Sequence, residues 1–225
     1  FNNFEAGAFS ETTTASFSVD MAIGAVDGIS GKEAVGAGYG FQIDLTTSFT
    51  GEDSLDVSLD AGNGGSGGTA NAFPALDELD LNDGGADLRV DGVSYTFPLG
   101  DKTTVFVGDS MDGSTLYNTA CVYGTPTDTM DDCGNASAGL AAGFGTAAGA
   151  SFDIGNGFTA AIGYEGQGSS TSGLLTKEGT DAYGGQLTYT ADTYGASVTY
   201  ANIESANDTT YWALNGYWTP DSTGS

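Results

Sequence analysis

Apolar and polar residues alternate along most of the chain with a period of two. Tyr39 to Phe49 places apolar side chains at odd positions and polar ones at even positions, and Leu55 to Ala61 repeats the pattern. This period predicts strands with one apolar and one polar face, and a short Gly-containing turn between two such strands predicts a hairpin. The polar face of this hairpin is unusual because it carries carboxylates, at Asp44, Asp56 and Asp60.

Similar alternation in further segments predicts an all-β fold of about ten strands. There is no convincing amphipathic helix, and no apolar run has the length that a membrane-spanning helix needs. The predicted strands are Thr13–Ile23, Tyr39–Phe49, Leu55–Ala61, Ala86–Phe97, Thr103–Gly108, a segment ending in Ala148–Ile154, Phe158–Glu165, Tyr183–Thr190, Tyr194–Asn202 and Thr210–Trp218.

The connections between these strands alternate between short and long. Tight turns are predicted near residues 51, 99, 156 and 192, and longer loops near residues 30, 74, 123, 173 and 206. An antiparallel up-and-down meander with this alternation has its turns at one end and its loops at the other, which is typical of an outer-membrane β-barrel. A Greek-key sandwich would instead scatter its loop lengths. The pattern therefore favours an antiparallel up-and-down transmembrane β-barrel.

The net charge of the chain limits the kinds of molecule that we expect it to bind. The 225 residues include 4 Lys+Arg and 30 Asp+Glu, for a formal net charge of -26, and no His. Nucleic acid and anionic lipid surfaces are therefore not expected partners, whereas cations are. The absence of His removes the commonest general base and the Ser/His and Cys/His dyads, so we do not expect an enzyme.

The two cysteines, Cys121 and Cys133, lie in one loop-like stretch, CVYGTPTDTMDDC. A local disulfide in an oxidising compartment is the preferred interpretation. The alternative is a metal site with two thiolate ligands, which lacks other soft ligands nearby.

Two loops carry clusters of acidic residues. Hard oxygen ligands for a structural Ca²⁺ are crowded in the first, although their spacing is not that of an EF-hand loop; they are Asp77, Glu78, Asp80 and Asp83. The second either folds into a channel as an acidic constriction or forms an exposed loop that binds calcium, and we favour the exposed loop. Its acidic residues are Asp109, Asp112, Asp128, Asp131 and Asp132.

Four segments, in order, resemble the cyanobacterial members of the carbohydrate-selective porin family, often called iron-uptake porins. They are FEAGAFSETTTASFSVD, FQIDLTTSFTGEDSLDVSLDAGN, VDGVSYTFPLGDKTTVFVGD and GASFDIGNGFTAAIGYEG. The resemblance covers most of the chain apart from the long loops, and it implies a barrel of roughly sixteen strands. Residues 1–12 would then lead in from a periplasmic N-terminal part, and residues 13–225 would be the N-terminal portion of the barrel without its final strands.

The resemblance also implies a location and a function. We expect an outer-membrane porin without a cofactor, embedded in lipid, anchored to the cell wall through an N-terminal domain and assembled as a homotrimer. It would allow passive diffusion of small hydrophilic solutes and inorganic ions, and the family name extends this expectation to iron. A mainly mechanical role, tethering the outer membrane to the cell wall, is an alternative within the same family.

The polar faces of the predicted strands supply the candidate lining of a channel. Carboxylates on such a lining favour cations. A different interpretation is open: these charges are solvated on a secreted or cell-surface, acidic, Ca²⁺-binding all-β structural or adhesion protein. The candidate lining residues are Asp20, Asp44, Asp56, Asp60, Asp87, Arg89 and Asp91.

Overall fold

The computed structural model describes residues 12–25, 35–63, 85–118, 140, 145–168, 173–176, 179–205 and 207–219. Within these ranges the chain forms ten antiparallel strands in one sheet, whose spatial order follows the chain. The same ranges hold no helix that is long and apolar enough to cross a membrane. The strands are β1 (Thr13–Ala25), β2 (Val35–Thr47), β3 (Ser54–Gly62), β4 (Gly85–Pro98), β5 (Thr103–Asp109), β6 (Thr146–Gly155), β7 (Phe158–Gly166), β8 (Asp181–Thr190), β9 (Tyr194–Glu204) and β10 (Thr209–Trp218).

The up-and-down arrangement of ten strands is confirmed, and the strand ends differ from the prediction by a few residues. β2 begins earlier than predicted, at Val35, because its first residues pair with the end of β1: Ala37 opposes Ile23 and Val35 opposes Ala25. β1 and β10 stand at the two ends of the strand order, and no pairing between them occurs among the described residues.

The connections follow the predicted alternation as far as β9. Residues 48–53, 99–102, 156–157 and 191–193 form short turns, and residues 26–34, 63–84, 110–145 and 167–180 form longer connections. The prediction is wrong for the last connection, residues 205–208, which is as short as the turn at 99–102. The tightest turn has Asn156 at φ +55° and Gly157 at φ +83°, the left-handed pair that a two-residue hairpin loop requires.

The chain divides into two compact units. The N-terminal unit comprises Phe1–Phe49, Leu55–Val93 and Gly124–Asp131, and the C-terminal unit comprises Thr50–Ser54, Ser94–Tyr123 and Asp132–Ser225. Strands β1 to β3 and the first part of β4 therefore belong mainly to the N-terminal unit.

Strand register separates the two faces of the N-terminal unit. Phe17 opposes Ile43, and Val19 opposes Phe41, so apolar side chains share one face. On this face Phe17 is 71% exposed and Met21 is 81% exposed. The opposite face collects polar side chains from β1, β2 and β3.

In the C-terminal unit the usual relation between polarity and burial is reversed. Large apolar side chains of β7 to β10 are exposed, such as Ile162 at 65% and Leu214 at 82%, whereas the opposite face of β7 to β9 is largely buried. Alternating residues of β7 to β9 line that buried face, and its polar members are Glu165, Gln186, Thr188, Ser197 and Thr199. A small cluster of Tyr117, Leu140, Ala161, Ala182 and Ala201 packs among them. The core of this unit thus lies on the polar side of the sheet.

Candidate functional site

Asp44 is the centre of the polar face of the N-terminal unit. Its neighbours across the sheet are Ser16 on β1 and Ser58 on β3. The carboxylate accepts hydrogen bonds from Gln42 Nε2 at 2.7 Å, from Ser58 Oγ at 2.7 Å and from Ser16 Oγ at 3.4 Å. Three donors, one each on β1, β2 and β3, therefore hold this carboxylate in place, and none of them is a basic residue.

Further carboxylates share this face. Asp60 opposes Gln42, and Asp56 opposes Thr46, whose hydroxyl donates to Asp56 Oδ1 at 2.7 Å. Asp91 of β4 lies within electrostatic range of both Asp60 and Asp44. The fold thus brings together three of the predicted lining residues.

The remaining predicted lining residues are exposed on β1 and β4. Asp20 lies on β1 opposite Gly40, on the same face as Ser16. Asp87 and Arg89 precede Asp91 at alternate positions of β4, and both are exposed. We call the surface formed by Asp20, Asp44, Asp56, Asp60, Asp87, Arg89 and Asp91 the acidic face.

The other predicted site residues lie in loops. Asp109 ends β5 and is exposed, and its Oδ1 accepts a hydrogen bond from Thr146 at 3.3 Å. Asp112 lies in the segment that follows β5. Outside the described residues are Asp128, Asp131 and Asp132 of the second acidic loop, the calcium candidates Asp77, Glu78, Asp80 and Asp83, and the cysteines Cys121 and Cys133, so their roles stay predictions.

Residues Gly113 to Asn118, the docked segment, lie against the polar face of the C-terminal unit. At one end the Gly113 amide donates to Oε2 of Glu165, which has no exposed surface, at 3.0 Å. At the other end the Asn118 amide donates to Gln186 Oε1 at 2.8 Å. Since both acceptors are buried side chains of the sheet, β7 and β8 hold the segment at both ends.

Gln186 connects the docked segment to neighbouring strands. Its Oε1 also accepts a hydrogen bond from Thr188 Oγ1 at 2.9 Å, and its Nε2 donates to Thr199 Oγ1 at 3.2 Å. Buried amide and hydroxyl groups are tolerated when they are paired in this way, and leaving one unpaired costs about 1–3 kcal/mol.

A row of glycines explains how the segment approaches the sheet so closely. Gly149, Gly163 and Gly184 oppose one another across β6, β7 and β8. A Cβ on Gly163 would overlap the Gly113 carbonyl, and a Cβ on Gly184 would lie 2.7 Å from a Leu140 methyl carbon. Because these residues have no side chains of their own, Gly113 reaches the backbone at Gly163, the Leu140 side chain reaches it at Gly184 and the Phe106 ring reaches it at Gly149.

The packing raises the pKa of two ionisable groups, one in the docked segment and one just before it. Burial raises the pKa of the Tyr117 phenol, so the phenol stays neutral at physiological pH. The Asp112 side chain retains exposed surface, yet partial burial of its carboxyl group raises its pKa as well.

The opposite face of β7 to β10 carries two rows of aromatic side chains. One row, near the short turns, is Phe158, Tyr189, Tyr194 and Trp218, and the other is Tyr164, Tyr183, Tyr200 and Trp212. Ring centroids are 4.8 Å apart for Phe158–Tyr189 and 5.0 Å apart for Tyr200–Trp212. On every strand the two aromatics are six positions apart, which corresponds to about 20 Å along the strand. Small and aliphatic residues, including Ile162, Leu187, Val198 and Leu214, lie between them.

Sequence reasoning missed the docked segment and its anchors, Glu165 and Gln186. A signal was nevertheless present, because the polar-face positions of β6 to β9 are small or neutral apart from Asp153 and Glu165, whereas those of β1 to β3 include several acidic residues. Small side chains on a polar face indicate that another part of the chain packs there.

No protein family, no curated protein and no solved structure matches the chain.

Proposed function

We propose that the chain forms the wall of an outer-membrane porin, a closed β-barrel that allows passive diffusion of small hydrophilic solutes and inorganic ions and prefers cations. The observation that carries this proposal is the reversed burial in the C-terminal unit, where polar side chains are buried and large apolar ones are exposed. The extension to iron, the homotrimer and the cell-wall anchor rest on the resemblance to iron-uptake porins alone.

The exposed apolar face fits lipid better than water. Removing one large apolar side chain from water is worth roughly 1.5–3 kcal/mol, and contiguous exposed patches of such side chains mark interaction surfaces. The two aromatic rows suit the two interfaces of a membrane, with an aliphatic band between them. In lipid every backbone group must pair within protein, so β1 and β10 would need partner strands that close the barrel.

The acidic face supports the preference for cations. Asp44 and Asp60 both repel the charge of Asp91, and a mobile cation beside them lowers that repulsion. Along a water-filled lining, such carboxylates raise the local concentration of cations and lower that of anions.

The primary test records the current through the protein in a planar bilayer under a KCl gradient. We expect discrete conductance steps and a cation-selective reversal potential. Asp44→Asn combined with Asp60→Asn should move the reversal potential towards zero. Asp192→Asn is the matched control, because Asp192 is exposed in the turn before β9, and this change should leave the selectivity as it was. Anion selectivity would contradict the assigned lining.

A second test asks whether the apolar face meets lipid. The chain has only two tryptophans, Trp212 and Trp218, one in each aromatic row. Single-tryptophan variants Trp212→Phe and Trp218→Phe should both show emission that lipid-attached quenchers reduce, most strongly when the quencher is near the headgroups. Protein that stays soluble without detergent, with no conductance steps, would favour the secreted, acidic β-protein instead.

A further inference from the structure

Asp181 is a buried carboxylate at the start of β8, and only one of its oxygens has partners. The side chain is 2% exposed. Its Oδ1 accepts hydrogen bonds from the Tyr164 hydroxyl and, at 3.3 Å, from the Leu175 amide. Its Oδ2 is buried and has no hydrogen-bond partner within the described ranges. A buried carboxylate with an unpaired oxygen is costly unless a proton or a cation compensates it.

A second carboxylate lies next to it. Glu204 of β9 directly opposes Asp181 in the register of the sheet, and it is half-buried. Directly opposed residues share a face, with Cβ atoms about 4.5–5.5 Å apart, and two like charges at such positions repel. On the other side of Asp181 stands Gly166, where a Cβ would overlap both the Tyr164 hydroxyl and Asp181 Oδ1. The strand pairing thus places the side chains of Asp181 and Glu204 beside each other, and the Tyr164 hydroxyl lies against the Asp181 carboxylate.

We infer that Asp181 and Glu204 form a binding site for a hard divalent cation, Ca²⁺, at the end of β7 to β9 that lies opposite the short turns. The unpaired Asp181 Oδ2 and the Glu204 carboxylate supply anionic oxygen ligands, and backbone carbonyls and water complete the six to eight oxygens that Ca²⁺ takes. Three or more acidic, His or Cys side chains gathered around one metal position do not occur among the described residues. The site therefore relies on two carboxylates, and its remaining ligands would be backbone carbonyl oxygens and water.

Such a cation would act as a link between three segments. Asp181 begins β8, Glu204 ends β9, and Tyr164 near the end of β7 holds the Asp181 carboxylate in position. Bound Ca²⁺ would replace the repulsion between the two carboxylates by attraction to a shared charge. The site is separate from the acidic face, since none of its residues is among the candidate lining residues, and it does not depend on ion conduction.

The test compares thermal unfolding of the detergent-solubilised protein with CaCl₂ and with chelator, at matched ionic strength. A Ca²⁺ concentration about one hundred times the Kd should raise the Tm by roughly 5 °C or more. Asp181→Asn should abolish this rise, because the amide keeps the hydrogen bonds to Oδ1 but carries no charge. In chelator the variant should be at least as stable as the unmodified protein, so that the order of stability reverses between the two conditions.

Glu204→Gln provides a second variant if Asp181→Asn does not fold, and it should weaken Ca²⁺ binding at least tenfold. Asp192→Asn is the control for charge, and its Ca²⁺ response should equal that of the unmodified protein. Tb³⁺ offers a direct probe: Tyr164 lies beside the site, so emission of bound Tb³⁺ excited through tyrosine should fall in Asp181→Asn and should be displaced by Ca²⁺.

Two results would overturn the inference. In the first, Ca²⁺ has the same effect on Asp181→Asn and on the unmodified protein, which would place the bound ions elsewhere, for example on the acidic face. In the second, Asp181→Asn is equally destabilised in Ca²⁺ and in chelator.

Discussion

In the N-terminal unit the polar face carries several carboxylates and remains partly or fully exposed, whereas in the C-terminal unit it carries mainly amides and hydroxyls, with the buried carboxylate of Glu165, and is covered by Gly113–Asn118. Both faces come from the same alternation of apolar and polar residues. The difference lies in the size and charge of the polar side chains. Neutral groups such as Gln186 and Thr188 can pair with a covering segment, and the glycine row gives that segment room. A segment covering the acidic face would have to bury several charges without basic partners.

The apolar faces of the two units also differ. In the C-terminal unit two aromatic rows bound an aliphatic band, whereas β1 exposes mainly aliphatic side chains such as Val19, Met21 and Ile23. If lipid covers both units, the aromatic rows would fix the depth of the C-terminal unit more firmly, because tyrosine and tryptophan prefer the interface.

The largest effect is expected from filling the glycine row. In Gly163→Ala the new Cβ would overlap the Gly113 carbonyl, so the docked segment must move away and the polar face must become more exposed. We expect a loss of about 3 kcal/mol or more in the free energy of unfolding, at the upper end of the cost of overpacking, measured by denaturant unfolding in detergent. The matched control is Gly185→Ala, whose Cβ would lie 3.3 Å from the nearest atom, and an equal loss there would contradict the role of the row.

A smaller effect is expected from removing the side-chain anchor at Asn118. Gln186→Leu keeps the approximate size of the side chain but leaves the Asn118 amide and the Thr188 and Thr199 hydroxyls without their partner. The free energy of unfolding should fall by about 1–3 kcal/mol. On the acidic face Gln42→Leu removes only the hydrogen bond to Asp44 in a partly solvated setting, and we expect less than about 1 kcal/mol there. Thermal unfolding of the two variants measures this difference. If both lost the same free energy of unfolding, the covered face would not differ from the open face in the cost of an unpaired group.

The smallest effect concerns Asp112, just before the docked segment. Because its pKa is raised in the folded state, the folded protein binds this proton more tightly than the unfolded chain does. The resulting stabilisation is fully present below the ordinary pKa of 3.8 and is lost as pH rises through the raised pKa. Asp112→Asn should therefore be slightly more stable than the unmodified protein near neutral pH, and this advantage should disappear in acid. If the unfolding midpoints of Asp112→Asn and of the unmodified protein differed by the same amount at every pH, the prediction that burial raises the pKa of Asp112 would be wrong.

The strands of this protein were predictable from sequence, and the covering of its polar face was not. A period of two identifies strands such as Phe158–Glu165, and it also assigns Asp44, Asp56 and Asp60 to one face, because face alternation is a local property. The contacts of Glu165 and Gln186 with the docked segment depend on partners 52 and 68 positions away, which local alternation does not specify. The loop prediction failed at residues 205–208 because polar residues there fit a short turn as well as a longer loop.

Each strand pairs only with the strands next to it in the chain, and this order affects the sequence of folding steps. Each strand can pair with the one that precedes it in the chain, so most loops that must close are short and the loss of chain entropy per step is small. The docked segment is the exception, because its two anchors lie on β7 and β8, which come later in the chain. We expect the amides of Gly113 and Asn118 to gain protection from hydrogen exchange only after the β7–β8 hairpin is protected, so the last event in this unit would be the covering of a sheet that has already formed.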